Sequence, residues 1–196
     1  LFLVLALNLG MLIVFKYFNF FADALASLLG AAGVQAHFSA LQLLLPVGIS
    51  FYTFQAIGYA IDVYRGEIPP EKSLLNYALF VSFFPQLVAG PIERSRQLLG
   101  QVRENHAFRY ENAAGGLWLI AVGLFKKMVV ADNLATIVDA VYRQVPDGNA
   151  PAYLVATFFF AFQCYCDLAG YSDIARGSAK LFGIELMRNF DRPFIS

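Results

Sequence analysis

Charge is scarce in this chain. Only 14% of its 196 residues are Asp, Glu, Lys or Arg, and 14 basic side chains balance 14 acidic ones. Soluble domains carry about 25% charged residues. The balance leaves no global field to attract nucleic acid, and no basic stripe with interleaved aromatics runs through the sequence. A nucleic-acid partner is therefore not expected. There are two cysteines and two histidines. Cys164 and Cys166, with no clustered His, make no zinc set, and no metal site is expected. A thiol in apolar surroundings is inert, so both read as small buried hydrophobes rather than acyl-carrying nucleophiles. His37 and His106 lie in polar connections without a carboxylate at ligand spacing, and read as loop residues rather than catalytic bases. Walker, dinucleotide, nucleophile-elbow and HExxH motifs are all missing. So are a charged leader and a small-residue cleavage site. The chain opens inside an apolar run at Leu1 and closes at Ser196 without a stop pattern, which predicts a piece truncated at both ends of a longer polytopic protein.

What is present is apolar surface. The chain is 59% hydrophobic, with Phe occurring 20 times, and its mean hydropathy is +0.59. One soluble core of this length cannot hide that much. The fold class predicted is all-α: a polytopic integral membrane protein with broken or re-entrant and interfacial helices. Residues 1–196 are expected to form part of a single transmembrane domain.

Leu1–Phe15 is apolar apart from Asn8, and Lys16 can snorkel beside Tyr17. Fifteen residues fall short of the ~20 a span needs, and Phe18–Leu29 reads as an interfacial continuation. Leu41–Tyr64 reads as a full span bent early by Pro46 and Gly48, followed by an exposed loop through Lys72. Leu74–Ile92 has the length to span, but Pro85, Gly90 and Pro91 predict a broken or re-entrant element. Residues 93–112 are polar and arginine-rich, which favours the cytoplasmic face. Lys126 and Lys127 interrupt the next apolar run and, with Asp132, read as interfacial anchors, a substrate phosphate contact being the alternative, with Met128–Val141 as an interfacial helix. Residues 144–150 are a loop. Pro151–Ala175 is a membrane segment, and Arg176–Arg192 reads as interfacial or loop.

The second half of that last membrane segment concentrates polarity. Gln163, Tyr165, Asp167, Tyr171, Ser172 and Asp173 come directly after the apolar run Tyr153–Phe162. Ionisable groups at membrane depth are expensive and line polar paths or sites. Gln163, Asp167 and Tyr171 recur at i, i+4 and i+8 and share a helix face. Gly170 permits close approach of another backbone, and Asp173 can pair with Arg176. Spacing alone fits both the polar wall of a channel or active site and a hydrogen-bonded lock between helices.

Several segments, taken in order, carry more. They are Leu45–Tyr52 (LPVGISFY), Ile61–Gly66 (IDVYRG), Phe84–Ile92 (FPQLVAGPI), Lys126-Lys127, Tyr165–Asp173 (YCDLAGYSD) and Asn189–Phe194 (NFDRPF). In this order and spacing the chain resembles the membrane-bound O-acyltransferase family, in its alginate O-acetylation branch, with the D-alanyl-lipoteichoic-acid acyltransferases as cousins. The resemblance runs from about residue 41 onward and implies a multi-pass protein of the bacterial inner membrane. It implies acyl transfer from a cytoplasmic donor, acetyl-coenzyme A, to an exported polysaccharide such as alginate, completed by periplasmic polysaccharide-acetylation proteins. The family's catalytic histidine sits in an Arg-Trp-His-type motif downstream of the Asn-Phe segment. Neither His37 nor His106 matches it, so no catalytic residue is assigned and the expected histidine lies beyond Ser196. The resemblance implies channel and substrate-positioning roles for Gln163, Tyr165, Asp167, Tyr171, Ser172 and Asp173, with Asn189 at the approach to that histidine. Intramembrane Asp167 and Asp173 also suit a transporter or channel subunit, and a non-catalytic acyl-transfer scaffold is a further alternative.

Overall fold

The computed structural model describes residues 1–31, 48–87, 90, 93–144 and 149–190. His37, Pro46, Pro91 and the segment from Asp191 onward lie outside them, as does most of the loop at 144–150. Every regular element among the described residues is helical: α1 (Phe2–Ala31), α2 (Ile49–Tyr64), α3 (Leu74–Ser82), α4 (Phe84–Leu87), α5 (Ser95–Val102), α6 (Tyr110–Leu124), a π-helical turn (Phe125–Ala131), α7 (Asp132–Gln144) and α8 (Ala150–Leu181). Among the described residues three stretches are long and apolar enough to cross a bilayer: Phe2–Gly30, Tyr110–Arg143 and Ala150–Leu181. Side chains such as Leu154 and Phe158 are 73% and 61% exposed, as lipid-facing groups are. This is an all-α, multi-pass membrane protein.

The chain forms two compact units, residues 1–82 with 94–96, and residues 83–93 with 97–196. In the first, α2 packs on both α1 and α3. Ser73 caps α3, its Oγ accepting the Asn76 N–H at 3.3 Å. The buried Gln55 amide donates to Phe80 O at 2.8 Å, and the rings of Tyr59, Tyr77 and Phe80 pack against one another at tilted angles. In the second unit α8 is the hub, in contact with α4, α6, the π-turn and α7. Asn149 caps it, Oδ1 accepting from Ala152 N, with Pro151 in the first turn where its missing N–H matters least.

Three expectations change. α1 is one continuous helix through Lys16, Asn19 and Asp23, rather than a span plus an interfacial piece. Its polar side chains turn back on their own helix: Asn8 Nδ2 donates to Val4 O at 2.9 Å and Ser27 Oγ to Asp23 O at 2.8 Å. Lys126 and Lys127 do not interrupt the next helix; residues 110–144 run unbroken through the π-turn. α8 does not stop at Ala175 but continues to Leu181. There Gly183, at φ +78°, closes it: Gly183 N donates to Lys180 O at 3.0 Å and Ile184 N to Ala179 O at 3.1 Å. A left-handed glycine with these two bonds satisfies the orphan carbonyls of a helix end. The expected break is present, with Phe83 separating α3 from α4 just before Pro85.

α6 and α8 lie unusually close. A Cβ on Gly123 would stand 2.6 Å from Gly170 O, and one on Gly116 2.7 Å from Gly177 O. Reciprocally, Cβ atoms on Gly170 and Gly177 would meet Gly123 O at 2.9 Å and Gly116 O at 2.5 Å. Only glycine permits that separation, and small residues at helix contacts are how membrane helices gain packing contact without a hydrophobic drive.

Candidate functional site

The close approach of α6 to α8 fixes where the next turn of α6 can place its side chains. Beyond Gly123 the α6 rod enters its π-turn, which carries Lys126 and Lys127. Such wide turns recur at functional positions because the extra residue re-aims side chains. Here it aims two adjacent lysines at different parts of α8.

Lys126 Nζ lies 2.6 Å from Asp173 Oδ2, and Arg176 Nη1 lies 3.3 Å from Asp173 Oδ1. Two cations thus share one carboxylate whose side chain is 14% exposed. Arg176 Nε is buried with no acceptor among the described residues. This triad forms part of the wall of a cavity of about 330 Å³. Tyr165, Ala169 and Ser172 add to the wall from α8, and Trp118, Leu119 and Val122 from α6. Arg188, Asn189 and Phe190 close it from the segment after α8.

Lys127 turns elsewhere. Its Nζ is 2.7 Å from Asp132 Oδ1 and 2.7 Å from Asp167 Oδ1, and stands 5.4 Å from the Tyr171 ring centre. The Asp167 contact is a charge pair rather than an aligned hydrogen bond. Asp167 is 37% exposed and Asp132 52%, so this cluster is the wetter one. The six-residue interval from Asp167 to Asp173 places them about 120° apart around α8.

The post-helix segment is held by backbone bonds that place the cavity's third side. Gln101 clamps Glu185, Nε2 donating to its carbonyl at 2.9 Å and Oε1 accepting its N–H at 2.7 Å. Buried Glu93 accepts the Met187 N–H. Burial pushes the Glu93 carboxyl above its ordinary value, against the Met187 bond and the Arg176 charge, which pull it down. Phe190 packs edge-on to Tyr165 at 6.2 Å.

The residues singled out from sequence therefore divide. Tyr165, Ser172, Asp173 and Asn189 meet at the cavity. Asp167 and Tyr171 gather at Lys127. Gln163 belongs to neither cluster, and its Oε1 is buried without a hydrogen-bond partner among the described residues. The lysines are corrected from interfacial anchors to ion-paired members of the two clusters. Arg176, Arg188, Glu93 and Trp118 were missed as cavity or supporting residues; for Arg176 the signal was its three-residue spacing from Asp173. Cys166 is buried and Cys164 half-buried, both as free thiols. His106 is remote from the wall, its Nε2 2.8 Å from Gln101 O. Chemically, the wall can hold a hydroxyl against Ser172 or Asn189 and stabilise negative charge with Lys126 and Arg176. No histidine lines it among the described residues.

Known proteins resemble this chain over most of its length. A protein of Azotobacter vinelandii named "Probable alginate O-acetylase AlgI" is 41% identical over 183 residues, covering 93% of this chain and 36% of that protein. A "Peptidoglycan O-acetyltransferase" of Helicobacter pylori is 35% identical, over 95% of this chain and 40% of its own length. A "Teichoic acid D-alanyltransferase" of Bacillus subtilis is 26% identical, over 83% and 42%. The chain thus spans about a third to two fifths of the length of these curated relatives. Residues 67–195, which contain the whole cavity wall, match the family described as MBOAT. The chain belongs to the membrane-bound O-acyltransferase family.

Proposed function

We propose that the protein containing this chain transfers an acetyl group from a cytoplasmic donor, acetyl-coenzyme A, to a hydroxyl of an exported polysaccharide such as alginate. Its place is the bacterial inner membrane, with loop 93–112 on the cytoplasmic side and periplasmic polysaccharide-acetylation proteins as partners. The observation that carries the reading is the cavity wall of Lys126, Asp173 and Arg176, inside the segment that matches the family. Attack of a hydroxyl on a thioester carbonyl puts negative charge on the carbonyl oxygen. Fixed cations in a water-poor cavity stabilise such charge without reorganising. Asp173 holds Lys126 and Arg176 in place, while Tyr165, Ser172 and Asn189 orient the acceptor. The base that takes the hydroxyl proton and returns it to the departing thiol is expected to be a histidine beyond Ser196. The transporter and scaffold alternatives draw no separate support, since the three relatives carry acetylase or transferase names.

The test is polysaccharide O-acetylation in cells carrying the protein extended past Ser196. Replacing Asp173 by Ala should lower acetyl content at least about tenfold, the size of one lost charge-assisted contact. Unchanged acetylation in Asp173→Ala would remove the cavity from the reaction.

A further inference from the structure

Among the described residues His106 is the only histidine, and the acyl-transfer chemistry leaves it unused. Its ring is nevertheless tied on two sides. Nε2 lies 2.8 Å from Gln101 O; a carbonyl only accepts, so that nitrogen carries the proton and donates it. The ring also lies against Gly183, where an added Cβ would stand 3.0 Å from His106 Cβ and 3.2 Å from its Cγ. Both contacts lead to the same place. Gly183 closes α8, and the residues after it form a strap, Ile184–Phe190. Gln101 grips that strap at Glu185, holding its N–H and its carbonyl at once, while its own carbonyl receives His106. An amide that both donates to and accepts from one residue copies a paired strand and fixes the register of the backbone it holds. Glu93 takes the Met187 N–H further along. At the far end Arg188, Asn189 and Phe190 form the third side of the cavity. Arg188 Nε donates to Phe190 O at 3.1 Å, a bond within the strap that does not by itself set where the strap lies.

We propose that His106 and Gln101 are positioning residues for the transfer, latching the strap so that Asn189 and Phe190 stand where the acceptor is oriented. The inference rests on the acyl-transfer reading of the cavity and deepens it, since it names what sets the third wall. Neither residue lines the cavity. His106 acts through Gln101 and Gly183, and Gln101 acts through Glu185. A displacement of about 1 Å in an orienting group can cost on the order of 100-fold in rate, so a latch outside the cavity has leverage on the reaction.

The experiment takes the protein extended past Ser196, in detergent micelles, with acetyl-coenzyme A as donor and a uronate oligosaccharide as acceptor. Two quantities are read: amide hydrogen exchange of the segment holding Glu185 and Met187, and the acceptor KM against kcat. Gln101→Leu removes both bonds to Glu185 and should lower protection and raise the acceptor KM, each about tenfold, with the donor KM unchanged. His106→Phe keeps a ring over Gly183 but loses the donor, and should move both quantities the same way by about threefold. His106→Gln offers an N–H at similar reach and should restore both. Loss of folded protein alone would lower apparent kcat and leave KM where it was. Asn149→Ala, which uncaps α8 at the end away from the strap, should lower the unfolding midpoint and leave exchange and KM unchanged. Faster exchange with an unchanged acceptor KM would make the latch purely structural and overturn the proposal. So would a raised KM with unchanged exchange, or failure of His106→Gln to restore what His106→Phe loses. Absence of transfer by the unaltered extended protein is a separate outcome, which removes the acyl-transfer reading and this assignment with it.

Discussion

Lys126 and Lys127 are neighbours in sequence with opposite circumstances. Lys126 shares Asp173 with Arg176 on a cavity wall, two cations to one carboxylate. Lys127 has two carboxylates to itself, Asp132 and Asp167, both more than a third exposed. The two lysines are about equally exposed, at 28% and 25%, but Asp173 is 14% exposed against 37% for Asp167 and 52% for Asp132. Lys127 can therefore lose one carboxylate and keep another, whereas Lys126 and Arg176 depend on one between them.

Both clusters depend on the approach of α6 to α8, so breaking that approach should have the largest effect. Gly177→Val would drive a side chain into Gly116 O, which a Cβ already meets at 2.5 Å. Backbone cannot rotate away as a side chain can, and a loss of at least about 4 kcal/mol is expected. Loss of monodisperse protein in gel filtration checks it; a normally behaved variant would show that the helices separate freely. Next in size is Asp173→Ala, which leaves the half-buried Lys126 and Arg176 without their carboxylate, at about 2 kcal/mol. Asp167→Ala leaves Lys127 its half-exposed Asp132 partner and should fall below about 1 kcal/mol. Thermal unfolding of the two variants side by side tests the contrast, and equal losses would abolish it. The smallest effect is titration of Glu93, behind the cavity. Its folded-state value is raised, so the stability it contributes is fully present below the unfolded value near 4.5 and is lost as pH rises through the higher folded value. Unfolding midpoints should fall over that window, and Glu93→Gln should flatten the fall. A rise there would reverse the assignment.

The sequence discloses some of this because the responsible forces are local. An apolar composition with little charge implies helices in lipid, and Pro85 predicts the break at Phe83 because it lacks an N–H and crowds the preceding turn. Asp173 and Arg176 pair along one helix face, as their spacing indicates. The lysine partners of Asp167 and Asp173 were not readable, since Lys126 lies 47 residues from Asp173 and only tertiary packing joins them. The π-turn has no sequence signature comparable to a cap, so two lysines in an apolar run looked like anchors at a water boundary. The alternation of charged and apolar residues from Arg176 onward suggested that the membrane segment ends at Ala175. It continues because Arg176 is compensated by Asp173 within the helix. Gln163, Asp167 and Tyr171 do share a face, yet the block as a whole wraps around α8, so one polar stripe became two sites.

The glycine pairs also bear on how the hairpin finds its alignment. Gly116 and Gly123 are separated by the same interval as Gly170 and Gly177. If the two helices slid past one another by that interval, Gly116 would meet Gly170, but Gly123 would face Gln163 and Arg109 would face Gly177. One contact would close and the other would be wedged open by a long side chain. The two pairs thus work like a two-pin key. They penalise that slipped docking, and the register in which both pins seat is the one that brings Lys126 to Asp173.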